Sequence, residues 1–247
     1  CCVLPLYHVS GLMQLLRSYH SGGYIRFDED EVEGRCLSYV PTQLRRALLD
    51  KKRTQALSTA RVIFVGGASM AESLAEEVRK LKLPVMPVYG MTETAAMVAA
   101  IPVADFLTDS RVGALPIGET KIEIGPSGRI SIQSPSLFKG YHGGEPLDLA
   151  RGYLSGDAGY IDENERLHVT GRIDRLVISG GEKIDPCEVE DVVSAIAGVE
   201  EVMALGLPDP EWGQKLVVYY TGRELVGWEE RLKEQLVGYK LPKKMLR

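Results

Sequence analysis

Apolar positions in the first hundred residues fall into two alternating rhythms. Leu12, Leu15, Leu16 and Tyr19 recur at helical spacing until Gly22 and Gly23 stop them, and Tyr24-Ile25-Arg26-Phe27 follows as a strand. Leu37 to Val40 predicts another short strand. Pro41 then stands where a helix can start, with Leu44, Leu48 and Leu49 on one face. Val62-Ile63-Phe64-Val65 predicts a strand ending at Gly66-Gly67. A helix with Leu74, Val78 and Leu81 facing inward comes next, and Val85 to Val88 delivers the chain to Tyr89-Gly90. Short β-branched runs separated by helices read as buried strands covered by those helices, so residues 12 to 99 are α/β.

Beyond about residue 110 the rhythm changes. Lys121 to Ile124 and Arg129 to Gln133 flank the turn Gly125-Pro126-Ser127-Gly128, as in an antiparallel β subdomain. From about residue 174 the pattern runs strand, helix (Pro186 to Ile196), strand (Val199 to Gly206), strand (Leu216 to Tyr220) and helix (Glu224 to Val237). That is a small α+β lobe. The expected organisation is therefore a large lobe with βα units over residues 1–173 and a small lobe over 174–247.

Composition narrows the function classes. Of 247 residues 45% are hydrophobic and 26% charged, which is enough apolar surface to offset chain entropy. No run approaches the roughly 18 to 20 apolar residues that span a bilayer, so membrane insertion is not expected. A net charge of −5 argues against a general nucleic-acid binder, which needs clustered Lys and Arg. The cysteines at 1, 2, 36 and 187 show no C-x-x-C spacing, and a reduced, cytoplasmic protein is expected. The chain opens at Cys1 inside an apolar run and reads as a fragment. A homo-oligomer is compatible with this composition.

No G-x-S-x-G, H-E-x-x-H, G-x-x-x-x-G-K-[ST] or G-x-G-x-x-G occurs, which removes the simplest hydrolase, zinc-protease and dinucleotide readings. What stands out is Tyr89-Gly90-Met91-Thr92-Glu93-Thr94, placed directly after a predicted strand, where open α/β sheets bind ligands. Glycine lets the backbone approach a ligand, and Thr92 can donate to a phosphate oxygen. Glu93 offers the hard oxygen that Mg²⁺ prefers, and Tyr89 a face for a nucleobase. The same six residues also suit a turn whose threonine caps a helix.

Several segments together resemble the adenylate-forming superfamily of acyl-CoA synthetases, luciferase and peptide-synthetase adenylation domains. Tyr89 to Ala95 is similar to its YGxTE motif. Pro5-Leu6-Tyr7-His8 with Ser10-Gly11-Leu12, Gly66-Gly67-Ala68, and Tyr153-Leu154-Ser155-Gly156-Asp157 resemble further motifs in the family's order. So do Gly171-Arg172-Ile173-Asp174 and Ser179-Gly180-Gly181-Glu182-Lys183-Ile184 with Pro186. The resemblance implies a carboxylic acid, MgATP and coenzyme A as small-molecule partners, with AMP leaving in the second of two half-reactions. It implies that Gly66, Gly67, Ala68, Tyr89, Gly90, Met91, Thr92, Asp157 and Arg172 hold the nucleotide. Asp157 would accept the ribose hydroxyls, and Glu93 would hold Mg²⁺. Thr92, Glu93 and His8 would serve the chemistry, Asp174 would mark the hinge between lobes, and Gly180 and Gly181 would flank the pantetheine arm.

Within the superfamily, Pro5 to Gly11, Val40-Pro41-Thr42-Gln43-Leu44 and Ser179 to Glu182 are most similar to the o-succinylbenzoate–CoA ligase branch of menaquinone and phylloquinone synthesis. That acid carries a second carboxylate, for which His8, Ser10, Thr42, Gln43 and Arg45 are the candidate donors. The resemblance also expects a phosphate-binding loop upstream of residue 1 and a catalytic lysine beyond 247, so this chain alone would form adenylate poorly. A ligase for another aryl or acyl acid, a carrier-protein loading domain, or a nucleotide-binding fragment without turnover remain the alternatives.

Overall fold

The computed structural model describes residues 1–29, 31–109 and 111–247. The chain forms two compact units, one of residues 1–155 and 159–169, the other of residues 156–158 and 170–247.

In the first unit α1 (Val9–His20) is followed by β1 (Cys36–Tyr39), α2 (Pro41–Leu48), α3 (Lys51–Leu57), β2 (Val62–Val65), α4 (Glu72–Lys80) and β3 (Val85–Met91). β1, β2 and β3 are parallel neighbours, with Tyr39 opposite Val65 and Val65 opposite Pro87. β4 (Ala96–Ala100) returns antiparallel to β3, and after α5 (Val103–Thr108) β5 (Leu115–Pro116) ends the order β1-β2-β3-β4-β5. The strands alternate faces with period two, so Leu37 and Tyr39, and likewise Ile63 and Val65, reach one core. Leu44, Leu57, Leu74 and Val78 meet them there from the covering helices.

A second sheet has the order β6 (Lys121–Ile124), β7 (Arg129–Gln133), β8 (Tyr153–Ile161), β9 (Leu167–Arg172). β6 and β7 form the expected hairpin, with Lys121 opposite Gln133. Ile122, Ile130, Ile132 and Leu167 join Val98 and Ala99 of β4 in its core. β8 and β9 contribute residues to both units.

The second unit continues through β10 (Val177–Ser179), β11 (Glu182–Ile184), α6 (Pro186–Ser194), β12 (Val199–Asp209), β13 (Gly213–Gly222), α7 (Trp228–Lys233) and β14 (Lys244–Leu246). Its sheet runs β11-β10-β13-β12, with β14 beside β13. Val177, Ile184, Val189, Val193, Leu216, Val218 and Leu232 form its core. α6 starts at Pro186 under the cap of Asp185, whose carboxylate accepts the Cys187 N–H at 2.9 Å. Glu190 ties α6 to β12, accepting from Arg175 at 2.5 Å and from the Ala204 N–H at 2.8 Å.

The α/β reading of the sequence holds, and several element bounds change. Tyr24 to Phe27 is not a strand: in place of a ladder it has the Cys2 N–H donating to Arg26 O at 2.8 Å, and Tyr24 and Phe27 are exposed. Leu49 faces solvent at 83% exposure because α2 ends at Leu48 and Asp50 caps a further helix, α3, that the apolar spacing concealed. Leu81 is likewise past the end of α4 and exposed. The predicted helix from Glu224 to Val237 shrinks to α7, which starts late because Gly227 at its N-cap adopts φ +65°, and ends at Lys233. Leu12, Leu15, Leu16 and Tyr19 do share a helix, but that helix buries only Gly11. Among the described residues no helix is long and apolar enough to cross a membrane.

Candidate functional site

Three parallel strands end side by side in the first unit, and the candidate residues follow their carboxyl ends, the position at which α/β sheets bind ligands. β1 leads through Val40 to Thr42, Gln43 and Arg45 on α2, β2 leads to Gly66-Gly67-Ala68, and β3 carries Tyr89 and Gly90. Close contacts link these ends. The Gly66 N–H donates to Tyr39 O at 3.2 Å. A Cβ on Gly66 would lie 2.6 Å from Val88 Cγ2, and one on Gly67, whose φ is +84°, 3.5 Å from Val40 Cγ1. Gly66 is thus packed against the residue that precedes Tyr89.

The turn after β3 is closed by its own threonine, which caps a single helical turn. β3 and β4 slip register between Tyr89 and Gly90, so that Tyr89 faces Ala99 and Gly90 faces Met97. Thr92–Thr94 then makes a single 3₁₀ turn. The Thr94 hydroxyl, fully buried, accepts the Met91 N–H at 3.0 Å and lies 3.0 Å from Met91 O and 2.7 Å from Ala96 O, donating to one of them at a time. Ala95 and Ala96 are held at φ +50° and +84°, a region costly for residues with a Cβ. Thr92 is exposed at the tip of the turn, and Glu93 is half-buried beside it.

Glu93 is gripped from a second segment. Its carbonyl accepts the Phe138 N–H at 2.8 Å, and its Oε1 accepts the Tyr141 hydroxyl at 2.7 Å. The Tyr141 and Tyr153 hydroxyls are 3.2 Å apart. Because Tyr141 spends its proton on the carboxylate, Tyr153 is the donor in that pair. The Phe138 ring sits edge-on to both tyrosines, 4.9 and 5.4 Å between centroids. The bond with Tyr153, then the one with Glu93, raises the Tyr141 phenol above the ordinary tyrosine range. Sequence reasoning missed Thr94, Phe138 and Tyr141 as site residues. The available signal was three aromatics between 138 and 153, in a chain that has 4 Phe and 11 Tyr.

The acyl candidates are placed on two elements. His8 and Ser10 engage each other at the start of α1, where His8 Nδ1 lies 2.8 Å from Ser10 Oγ and accepts the Ser10 N–H. On α2, Gln43 Oε1 accepts the Val40 N–H at 3.0 Å and so caps the helix, Arg45 reaches Ser73 Oγ at 3.4 Å, and Thr42 is exposed. In the second unit the structure brings Asp157 and Arg172 together, Nη1 to Oδ1 3.5 Å, with Asp157 nearly buried and Arg172 half-exposed. Gly180 and Gly181 form the two-residue turn of the β10–β11 hairpin, at φ +59° and +86°. Gly180 packs so closely on Trp212 that a Cβ would come within 2.8 Å of the indole, whereas Gly181 has open space. Asp174 is on the short turn Ile173–Arg175, and its side chain lies outside the described residues.

The donor set suits one kind of metal site. Among the described residues no cluster of three His, Cys, Asp or Glu side chains could enclose a cation. A single carboxylate such as Glu93 fits Mg²⁺, which keeps most of its shell as water and substrate phosphate.

Comparison with known proteins shows the family. The 2-succinylbenzoate–CoA ligase of Listeria monocytogenes serotype 4b is 32% identical over 262 residues, a match that covers 99% of this chain and 56% of that protein. The structure of o-succinylbenzoate CoA synthetase from Bacillus subtilis with the acyl-adenylate intermediate OSB-AMP superposes with a TM-score of 0.86 at 30% identity. It covers 99% of this chain and 56% of the other. The same enzyme with ATP and magnesium ion gives a TM-score of 0.83 at 29% identity, covering 99% and 56%. The chain thus spans just over half the length of these relatives. Residues 1–142 match the family described as AMP-binding enzyme, and the chain belongs to that family.

Proposed function

We propose that this chain is the adenylate-binding part of an AMP-forming acid–thiol ligase, with o-succinylbenzoate as the acid. The observation that carries the reading is the row of strand ends bearing Gly66-Gly67 and Tyr89 to Glu93, in a chain that superposes on a synthetase described with its acyl-adenylate. In the first half-reaction a carboxylate oxygen of the acid bonds to the α-phosphorus of ATP as the bond to pyrophosphate breaks. In the second, the coenzyme A sulfur bonds to the acyl carbon and AMP leaves.

The residues supply binding and orientation. Tyr89 offers its ring to adenine and the Gly66-Gly67 turn admits the base edge-on, since neither glycine carries a side chain there. Asp157 accepts from the ribose hydroxyls and Arg172 donates nearby. Thr92 donates to the α-phosphate, and Glu93 would hold Mg²⁺, which supplies charge neutralisation between the phosphates. His8, Ser10, Thr42, Gln43 and Arg45 are the donors assigned to the acid, with one amendment: the Gln43 carbonyl oxygen is committed to its helix, leaving its NH₂ for a ligand. Gly180-Gly181 opens a side-chain-free edge for the pantetheine arm, and residues from about 174 onward act as the mobile lobe, with Asp174 at its hinge. A reduced cytoplasmic setting accords with four unpaired cysteines.

Thermal melting with a non-hydrolysable o-succinylbenzoyl-adenylate analogue tests the assignment. At 100 times its dissociation constant such a ligand adds about 2.7 kcal/mol. A cooperative rise in Tm is expected, and no rise with this analogue but a rise with another acyl-adenylate would reassign the acid. For the ribose contact, Asp157→Ala should weaken AMP by about 1.5–3 kcal/mol in calorimetric titration. Unchanged affinity would remove Asp157 from the site.

A further inference from the structure

We infer that Tyr141 is a positioning residue for the metal-binding carboxylate, held in place by Tyr153 and Phe138, an assignment that rests on Glu93 being the Mg²⁺ ligand. A half-buried glutamate on a short turn still has three rotatable side-chain bonds, and fixing them costs entropy each time a cation binds. Here the cost is met in advance. The Tyr141 hydroxyl fixes one carboxylate oxygen at 2.7 Å, and the Phe138 N–H fixes the main chain of the same residue at 2.8 Å.

The clasp is itself well braced. Gly140, at φ +138°, turns the chain so that the Leu147 N–H can donate to Lys139 O at 2.8 Å and the Gly144 N–H to Tyr141 O at 3.0 Å. A Cβ on Gly140 would come within 2.9 Å of Glu145 O, which keeps that turn tight. Leu147 and Tyr153 in turn pack on the core of the second sheet. The order of donation is Tyr153 to Tyr141 to Glu93, so the bond to Oε1 is oriented from behind. Oε2 would be the oxygen left for a cation, and one carboxylate oxygen would be enough for Mg²⁺, which keeps most of its shell as water and substrate phosphate. Carboxylate ligands held by an outer hydrogen bond commonly lose 10- to 100-fold in metal affinity when that bond is removed.

The test is Mn²⁺ binding to the protein's AMP complex, since AMP by itself chelates Mn²⁺ only weakly, followed by the electron paramagnetic resonance of free Mn²⁺, with metal-free AMP affinity measured alongside. Tyr141→Phe keeps the ring contact with Phe138 and removes only the hydroxyl, at a side chain 60% exposed, so folding is not at stake. It should raise the Mn²⁺ dissociation constant about tenfold, with AMP affinity within about twofold. Tyr153→Phe should have a smaller effect, and the double variant no more than Tyr141→Phe alone, because Tyr153 acts through Tyr141. Glu93→Gln separates the two layers of the argument. If it abolishes tight Mn²⁺ binding while Tyr141→Phe leaves it unchanged, the positioning role is wrong and the metal assignment stands. If Glu93→Gln leaves Mn²⁺ binding unchanged, both are overturned.

Discussion

Gly90→Ala is expected to lower the melting temperature of the first unit by roughly 6–12 °C, at a cost of about 3 kcal/mol. The added Cβ would fall 1.9 Å from Ala96 O and 2.6 Å from Ala96 C, both backbone atoms of the facing strand. A side chain could rotate aside, but a carbonyl in a paired strand cannot. The bulge between β3 and β4 would have to open, carrying Tyr89 and the Thr92–Thr94 turn with it. Differential scanning calorimetry with and without the adenylate analogue checks both parts. An unchanged melt with a retained ligand response would show that the close approach of Gly90 to Ala96 does not shape the site.

Glu93→Gln should act in the opposite way, sparing the fold and removing the metal ligand proposed above. The amide keeps an oxygen for the Tyr141 hydroxyl and is nearly the same size, so stability should change by no more than about 0.5 kcal/mol. If Glu93 holds Mg²⁺ as proposed, losing its charge should slow Mg²⁺-dependent pyrophosphate release about 100-fold in the full-length ligase, equivalent to about 2.7 kcal/mol. Pyrophosphate release across a magnesium titration, beside a melting curve, reads the two effects separately. A fall in stability matching the fall in rate would make Glu93 a structural residue.

The sequence was most legible where a local rule decides the outcome. The strands at Val62–Val65 and Val85 onward, the start of α2 at Pro41 and the Gly125–Gly128 hairpin follow from β-branching, proline and glycine placement. Where tertiary neighbours decide, the reading drifted. Tyr24 to Phe27 has strand composition and no ladder to join, and α3 carries too few apolar residues to show a face, though Leu57 is fully buried. In the site, glycines and charged groups stood out because each has a chemical reason to occur in such a motif. Tyr141 did not: its partner Glu93 is 48 residues away, and no spacing rule links a phenol to a carboxylate across that distance. Thr94 was legible as part of a motif, while its buried hydroxyl, which closes the turn, became visible only with coordinates.

The exposed row of Leu12, Leu15, Leu16 and Tyr19 along α1 bears on handling. An uncovered apolar stripe attracts any surface that can share it, its own copies included. Sulfate and phosphate strengthen that attraction because both are excluded from protein surface. The oxyanions that mimic a nucleotide's phosphates are therefore also the salts that most favour aggregation of this chain, and chloride is the safer counterion for concentrated samples.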